Sequence, residues 1–335
     1  MEPRSVARKA CLRLLAIVVG LTISVVLAEV FFRAFDIRPL APPPADQVDA
    51  FAVKNQVNEL GLREPPGFPP PRVPGEWRIA VLGDSMTYGE GVEAEQAFPA
   101  VLARMLARRN DGRTYTVINM GWLGDNTAAE ATRYRKLSDR IDPDLLVLMM
   151  YVNDFAHEGR QAGETLHRIY SIRDDVYLLS DFSYLFHYVE RTIRLRRAFE
   201  ETMRYYRADA LHGVEPAALE PVAREIVALR DFAASRDTRF AVAFLPMLAG
   251  LHDYQLTTMH DCVAALCRAE GIPFRDLAPA FADRDEQAMR VSLANHHPSP
   301  AAHEIVATDL IEFLRETKLI PDGIADADVS SRSGR

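Results

Sequence analysis

A run of consecutive apolar residues, Leu145 to Tyr151 (LLVLMMY), is the feature that most constrains the fold. A strand that is apolar on both faces has to be covered on both sides, as in the centre of a parallel sheet. Two shorter strands are predicted before it, at Arg78 to Leu82 and at Thr114 to Asn119. Two more are predicted after it, at Phe240 to Leu245 and at Ile272 to Phe274.

Amphipathic patterns with the helical period lie between these strands and after the last one. They predict helices at residues 96–109, 127–137, 217–235, 253–269 and 300–314. Strands that alternate with helices indicate a doubly wound α/β fold with a five-stranded parallel sheet, similar to flavodoxin. In such sheets ligands bind outside the carboxyl ends of the strands, so side chains at those ends are the first candidates for function.

The chain is predicted to have four parts. Residues 1–36 form a membrane anchor or signal segment, and residues 37–76 form a proline-rich linker and lead-in. The α/β domain covers residues 77–318 and contains a helical insert at about 155–213, rich in aromatic residues. That insert either covers the site as a lid or packs as helices on the flank of the sheet. Residues 319–335 are predicted to be a disordered tail.

The N-terminal segment has the composition of a targeting element. Basic residues up to Arg13 precede a stretch without charge, Leu14 to Ala28. Extended by Val30, Phe31 and Phe32, this stretch is long enough to span a bilayer; alternatively, a signal peptide is cleaved after Ala28. Both alternatives keep the basic end in the cytoplasm and export the rest. The expected location is therefore the cell envelope, either on a single-pass anchor or as a secreted domain.

Composition and charge exclude several classes of function. With 48% hydrophobic and 26% charged residues and a net charge of −8, the 335-residue chain is globular and unsuited to binding nucleic acid. His296, His297 and His303 have no carboxylate or cysteine partner at the spacing of a metal site, so neither a metal nor another cofactor is expected.

Polar residues mark the ends of the first three strands. Ser85 follows Leu82-Gly83-Asp84, where glycine permits a sharp turn and the next helix directs its N-terminal amides toward the serine. Such a serine is either a nucleophile or a helix N-cap. Gly121 and Asn153 follow the next two strands, and His297 lies in a polar loop before the last helix.

Taken in order, these blocks resemble the four conserved blocks of the SGNH/GDSL hydrolases, with a lead-in similar to that of membrane-anchored members. The blocks are Gly83-Asp84-Ser85, Asn119-Met120-Gly121, Tyr151-Val152-Asn153-Asp154 and His297-Pro298-Ser299, and the lead-in is Asn58 to Arg63. The resemblance implies that Ser85 is the nucleophile and His297 the general base. It also implies an oxyanion hole formed by the backbone N–H groups of Ser85 and Gly121 and by the Asn153 side chain.

Two positions depart from the family pattern. Tyr151 replaces the glycine that is usual two residues before the block-three asparagine, and its ring is expected to narrow the site or to line an acyl pocket. Asn295 and Ala294 stand where the family carries an aspartate before the histidine. Such a carboxylate orients the imidazole and stabilises its charged form. Asn295 is therefore the candidate for orienting His297, in a Ser–His dyad.

The sequence thus predicts an exported serine esterase that hydrolyses O-acyl esters of an envelope glycan or a lipid through an acyl-enzyme. One alternative is an O-acyltransferase that uses the same residues. A second alternative is an envelope binding protein whose catalytic site is degenerate.

Overall fold

We describe the protein from a computed structural model. It covers residues 3–35, 57–109, 111–155, 183–186, 188–189, 216–291 and 295–321. The chain divides into two compact units: residues 1–44 with 166–203, and residues 45–165 with 204–335.

The helices and strands are numbered in chain order. The helices are α1 Pro3–Ala34, α2 Ser85–Tyr88, α3 Phe98–Ala107, α4 Thr127–Ile141, α5 Pro216–Ala234, α6 Thr257–Ala269, α7 Ala278–Phe281, α8 Glu286–Met289 and α9 Pro300–Glu316. The strands are β1 Glu76–Leu82, β2 Thr114–Asn119, β3 Leu145–Met150, β4 Arg239–Phe244 and β5 Phe274–Asp276.

The second unit contains one parallel sheet in the order β2-β1-β3-β4-β5. This order confirms the predicted doubly wound, flavodoxin-like fold with five strands. All six residues of β3 are buried, as the continuous apolar run predicts for a central strand. The strand order changes direction between β1 and β3, so the loops after these strands diverge and leave a crevice at the carboxyl edge.

Helices cover the sheet in two packed pairs, α3 with α9 and α4 with α5. In the second pair the rings of Tyr134 and Phe232 meet edge to face, with centroids 5.8 Å apart. In the first pair Phe98 stacks on His303, and its backbone N–H donates to His303 Nδ1 at 3.1 Å. The last helix, α9, is therefore fixed to α3.

Several elements differ from their predicted bounds. α4 continues to Ile141 instead of ending at 137, and α6 begins at Thr257 instead of 253. Two further differences involve prolines. β5 begins at Phe274, two residues later than predicted, because Pro273 has no N–H and enters the ladder only through its carbonyl, which accepts from Val242. The helix predicted at 96–109 is broken at Ala97 into a 3₁₀ turn and α3, because Pro99 is favoured in the first turn of a helix.

The first unit is built on α1. Its segment Leu12–Ala34 is, within the described part of the chain, the one helix long and apolar enough to cross a membrane. Near its end, the Glu29 carboxylate accepts hydrogen bonds from Ser183 Oγ and from the backbone N–H groups of Tyr184 and Leu185, at 2.8 to 3.0 Å. Glu29 therefore provides acceptors for the start of the helical residues 184–186.

Most of the predicted insert at 155–213 lies outside the described residues, as do residues 322–335 of the predicted tail. Leu319 and Ile320, at the start of that tail, are buried. In the lead-in, Arg63 is only 4% exposed. The packed structure of the second unit thus includes residues on both sides of the predicted domain boundaries 77 and 318.

Candidate active site

Ser85 is presented by the turn that joins β1 to α2. Gly83 is required in this turn, because a Cβ atom there would clash with Thr87 and lie 3.2 Å from the Met149 carbonyl. The Asp84 side chain caps α2 by accepting from Met86 N–H at 2.8 Å. Ser85 is therefore the first helical residue, and its own N–H lies before the first intrahelical hydrogen bond.

His297 lies in a loop that two backbone hydrogen bonds join to residues 289 and 291. Its carbonyl accepts from Val291 N–H, and Ser299 N–H donates to the Met289 carbonyl, both at 2.9 Å. Ser299 also caps α9, accepting from Ala302 N–H at 3.3 Å. The loop thus enters the last helix with a fixed geometry and holds the imidazole at the carboxyl edge of the sheet.

The structure brings the serine and the histidine together. His297 Nε2 lies 2.8 Å from Ser85 Oγ, and His297 Nδ1 lies 2.6 Å from Asn295 Oδ1. The same Asn295 oxygen accepts the backbone N–H of His297 at 3.1 Å. Because that N–H needs an acceptor, the oxygen of the amide faces the ring and Nδ1 carries the proton. Nε2 is left with a lone pair directed at the serine hydroxyl, which is the tautomer that a general base needs.

Burial favours this neutral form of the imidazole. It lowers the pKa of His297 to about 4. His303, which is fully buried nearby, has its pKa lowered to about 3, first by burial and then by His297 and Arg63. His303 Nδ1 accepts from Phe98 N–H, so this histidine holds two helices together. Its ring packs on Phe98, whereas the ring of His297 contacts Ser85.

The three predicted oxyanion donors lie around the serine turn. Gly121 packs against α2 so closely that a Cβ atom would clash with the Tyr88 backbone. Its N–H donates to Asn119 Oδ1 at 3.0 Å. The Asn153 amide donates to Asp84 Oδ2 at 2.9 Å. Two of the three donors thus have a protein partner in this structure, which an oxyanion would have to replace.

Three buried carboxyl groups underlie this part of the site. Burial, assisted by Asp154, raises the pKa of Asp84 to about 7, and burial raises that of Asp154 to about 6. The pKa of Glu130 is raised well above its usual value, first by burial, and neither of its carboxyl oxygens has a hydrogen-bond partner. Burial thus raises the pKa of all three carboxyl groups that lie beneath Ser85 and Asn153.

Two residues at the site were not identified from the sequence. Glu90 Oε2 lies 3.1 Å from His297 Nε2, the nitrogen that also faces Ser85. Arg63, from the lead-in, donates to the carbonyls of Tyr88 and Gly89 at 3.0 and 2.5 Å. A carboxylate between two glycines, five residues after the serine, was the available sequence signal for Glu90.

Tyr151, the first departure from the family pattern, is buried. Its backbone N–H donates to Asp154 Oδ2 at 2.8 Å. No group of three metal-ligating side chains occurs among the residues that the structure describes.

A groove of about 770 Å³ adjoins the site. It begins at Asp125, whose carbonyl lies 3.4 Å from the Asn153 amide nitrogen. It is lined by Glu59, Leu60, Asp125, Asn126, Ala128, Ala129, Thr132, Arg133, Lys136, Leu137 and Arg140. Three of these are cations on one face of α4, of which Arg133 pairs with Asp125 at 2.8 Å, and Glu59 is a second carboxylate in the lining.

Comparison with known proteins gives a family and a set of similar folds. Residues 81–305 match the family model described as GDSL-like lipase/acylhydrolase family. No curated protein sequence matches the chain significantly. Among solved structures, TesA is 17% identical with a TM-score of 0.46, and the match covers 71% of this chain and 98% of TesA. The acetylxylan esterase Axe2 from Geobacillus stearothermophilus is 14% identical with a TM-score of 0.44, over 71% of this chain and 94% of Axe2.

The family model covers more than half of the chain and includes both Ser85 and His297. This protein therefore belongs to the GDSL-like lipase/acylhydrolase family and is a serine hydrolase that acts on ester bonds.

Proposed function

We propose that the protein hydrolyses esters through an acyl-enzyme formed on Ser85, with His297 as the general base. The observation that carries this proposal is the hydrogen-bonded chain from Ser85 Oγ through the His297 ring to Asn295 Oδ1, at 2.8 and 2.6 Å. A serine hydroxyl becomes a useful nucleophile when an adjacent base removes its proton. A neutral imidazole with the proton on Nδ1 is such a base.

In the first step Ser85 Oγ attacks the ester carbonyl while its proton passes to His297 Nε2. The oxyanion that forms is stabilised by the N–H groups of Ser85 and Gly121 and by the Asn153 amide. To do so, Gly121 exchanges its bond to Asn119 for the oxyanion, and Asn153 turns part of its amide away from Asp84. His297 then protonates the departing alcohol, and a water molecule, deprotonated by the same nitrogen, releases the acyl group.

The protein is proposed to act outside the cytoplasm. A basic N-terminus followed by the apolar helix segment Leu12–Ala34 supports export with retention on a membrane anchor, with cleavage after Ala28 as the alternative.

The proposed substrates are O-acyl groups of an envelope glycan or ester bonds of a lipid. The groove beside Asn153 supports a substrate that extends well beyond the reacting ester. Because Lys136 and Arg140 are exposed in it, the groove favours an anionic neighbour of the ester, such as a uronate or a phosphate.

A fluorophosphonate probe tests the nucleophile, since it reacts covalently with an activated serine. The full-length protein in detergent is expected to be labelled on Ser85 and to hydrolyse p-nitrophenyl acetate. The Ser85→Ala variant is expected to lose both properties, whereas Ser235→Ala, a change at an exposed serine, keeps them. Hydrolysis that survives in Ser85→Ala would refute the proposal.

A further inference from the structure

Glu90 has a fixed position beside the catalytic pair. It lies between Gly89 and Gly91, whose φ angles of +84° and +85° suit glycine. Its N–H donates to the Ser85 carbonyl at 3.1 Å, so the same short turn carries the nucleophile and this carboxylate. Arg63 holds the loop by donating to backbone carbonyls on both sides of Glu90.

The Glu90 carboxylate and the serine hydroxyl face the same nitrogen of His297. Nε2 lies 2.8 Å from Ser85 Oγ and 3.1 Å from Glu90 Oε2. In the resting enzyme Nε2 has a lone pair, so Nε2 and an ionised carboxylate beside it are two acceptors that repel each other. Once the serine proton has moved to Nε2, the ring is a cation in contact with an anion. This interaction is therefore stronger in the transition state than in the ground state, which is the condition for raising the rate.

The other side of the ring lacks this charge. Asn295 accepts the Nδ1 proton and fixes the tautomer, but a neutral amide cannot offset the charge of an imidazolium. In a Ser-His-Asp triad the aspartate has two roles, since it holds the imidazole in the correct tautomer and also stabilises the imidazolium that forms. Asn295 can fill only the first of these roles.

We propose that Glu90 is a third catalytic residue, which stabilises the His297 imidazolium from the Nε2 side while Asn295 fixes the tautomer from the Nδ1 side. The inference rests on the proposed function, because it assigns the missing negative charge of that same site.

The proton balance needs no further reactant. The Ser85 O–H bond breaks, its electron pair forms the bond from Oγ to the carbonyl carbon, and the proton forms the Nε2–H bond. That proton then passes to the oxygen of the leaving alcohol. Glu90 neither gains nor loses a proton, and its effect is electrostatic throughout.

Burial and the charge of Arg63 act on Glu90 in opposite directions. Burial raises the pKa of Glu90, and the guanidinium of Arg63 opposes that rise. Glu93 and Glu95, on the same segment, share the field of Arg63. His303, behind His297, is neutral because burial lowers its pKa to about 3.

The decisive variant is Glu90→Gln, which keeps the shape of the side chain and removes its charge. We expect kcat/KM for p-nitrophenyl acetate to fall about 100-fold in the full-length protein, within the range for loss of one electrostatic group at a transition state. Glu95→Gln, at an exposed position of the same segment, is the matched control and is expected to stay within about twofold of wild type.

Two further readouts separate a catalytic role from a structural one. Removing an anion beside the ring disfavours its charged form, so the acid limb of the kcat/KM profile should move to lower pH in Glu90→Gln. Adding Asn295→Asp to Glu90→Gln supplies a carboxylate at Nδ1 and should restore at least tenfold of the lost activity. Asn295→Asp alone should gain less than about threefold, since the charge is already present.

Each outcome decides the proposal. Activity of Glu90→Gln within about twofold of wild type would overturn it, and so would a loss that leaves the pH profile unmoved and is not rescued by Asn295→Asp. If Glu90→Gln does not fold, Asn295→Asp alone decides, because a gain of about 100-fold would show that the wild-type site lacks the charge. Failure of the proposed function looks different: the wild-type protein itself would then not be labelled on Ser85.

Discussion

Two histidines in the second unit have similar hydrogen bonds and different surroundings. In the first, His297, the ring contacts Ser85 and Asn295, and its side chain is 20% exposed. In the second, His260, the side chain is only 2% exposed and the ring stacks on Phe244 with centroids 3.9 Å apart.

The buried histidine has the partners that a search for a catalytic triad would select. His260 Nδ1 lies 2.7 Å from Asp276 Oδ1, and Nε2 lies 3.0 Å from the Tyr254 hydroxyl. That hydroxyl accepts from Met247 N–H, so its proton points at His260. Burial raises the pKa of Tyr254, which keeps the phenol neutral. This network ties the loop after β4 to α6 and β5, and no hydroxyl in it is presented to a substrate.

A histidine hydrogen-bonded on both ring nitrogens is therefore not enough to make a catalytic site. His260 has a carboxylate partner and serves the fold, whereas His297 has an amide partner and a hydroxyl at the carboxyl edge of the sheet. Variants in both regions test this contrast, and their expected effects range from the loss of catalysis down to a small change of stability with pH.

Replacing His297 by alanine should abolish catalysis and spare the fold. We expect kcat for p-nitrophenyl acetate to fall by about 10⁴-fold or more, since base and nucleophile act as a unit. The free energy of unfolding, measured by urea denaturation, should change by less than about 1 kcal/mol. Residual activity above a tenth of wild type would show that another group accepts the serine proton.

Replacing His260 by alanine should have the opposite profile. It removes the stacking on Phe244 and leaves Tyr254 and Asp276 without their partner, so we expect a loss of about 2–4 kcal/mol in the free energy of unfolding. kcat per folded molecule should stay within about threefold of wild type. His252→Ala, at an exposed position, is the control and should change stability by no more than about 0.5 kcal/mol. A stable His260→Ala variant without activity would make His260 part of the catalytic machinery.

One glycine in each region has a positive φ angle, so the same substitution can be compared in both regions. Gly91 and Gly250 have φ angles of +85° and +68°, so either change to alanine should cost about 1–2 kcal/mol of stability. A Cβ atom on Gly91 would lie 2.9 Å from Asn295 Nδ2, whereas one on Gly250 meets nothing within 4 Å. We therefore expect kcat to fall about tenfold in Gly91→Ala, since a displaced orienting group costs this much or more, and to be unchanged in Gly250→Ala. Equal kinetics in the two variants would mean that the position of Asn295 is unimportant.

The smallest effect concerns pH. Burial alone would raise the pKa of Asp276, but hydrogen bonds from His260 and from the Ala278 N–H offset it and leave that pKa lowered. A lowered carboxylate pKa gives stability that is present above the unfolded pKa of about 3.9 and is lost as pH falls through the folded value. Asp276→Asn should thus be less stable than wild type by about 0.5–1.5 kcal/mol at pH 7, and the difference should vanish near about pH 3. Urea denaturation at both pH values measures it, and a difference independent of pH would show that the charge of Asp276 does not contribute.

Much of the fold was predictable because β3 is apolar throughout and each strand is followed by a helical period. The ends of several elements were predicted less well. Two of these differences depend on prolines, at 99 and 273, whose effect on a particular helix or ladder is decided by neighbouring elements. The pairing of Ser85 with His297 was predictable only through the order of four motifs, since these residues are 212 apart in the chain.

Other features of the site depend on three-dimensional contacts that no local pattern encodes. The orientation of the Asn295 amide follows from one backbone N–H of His297, and the sequence shows only that a carboxylate is missing. Glu90 and Arg63 lie at the site because the loop after α2 folds back on the serine turn. The bond from Gly121 to Asn119 likewise appears only once the second strand has ended beside α2.

The central claim is that Ser85 carries the acyl group during turnover, and mass spectrometry of the quenched enzyme tests it most directly. Full-length protein mixed with p-nitrophenyl acetate and stopped in acid should yield an acetylated peptide containing Ser85, and the His297→Ala variant should yield almost none. Turnover without any acetylated intermediate, or acetylation of another residue, would contradict the mechanism.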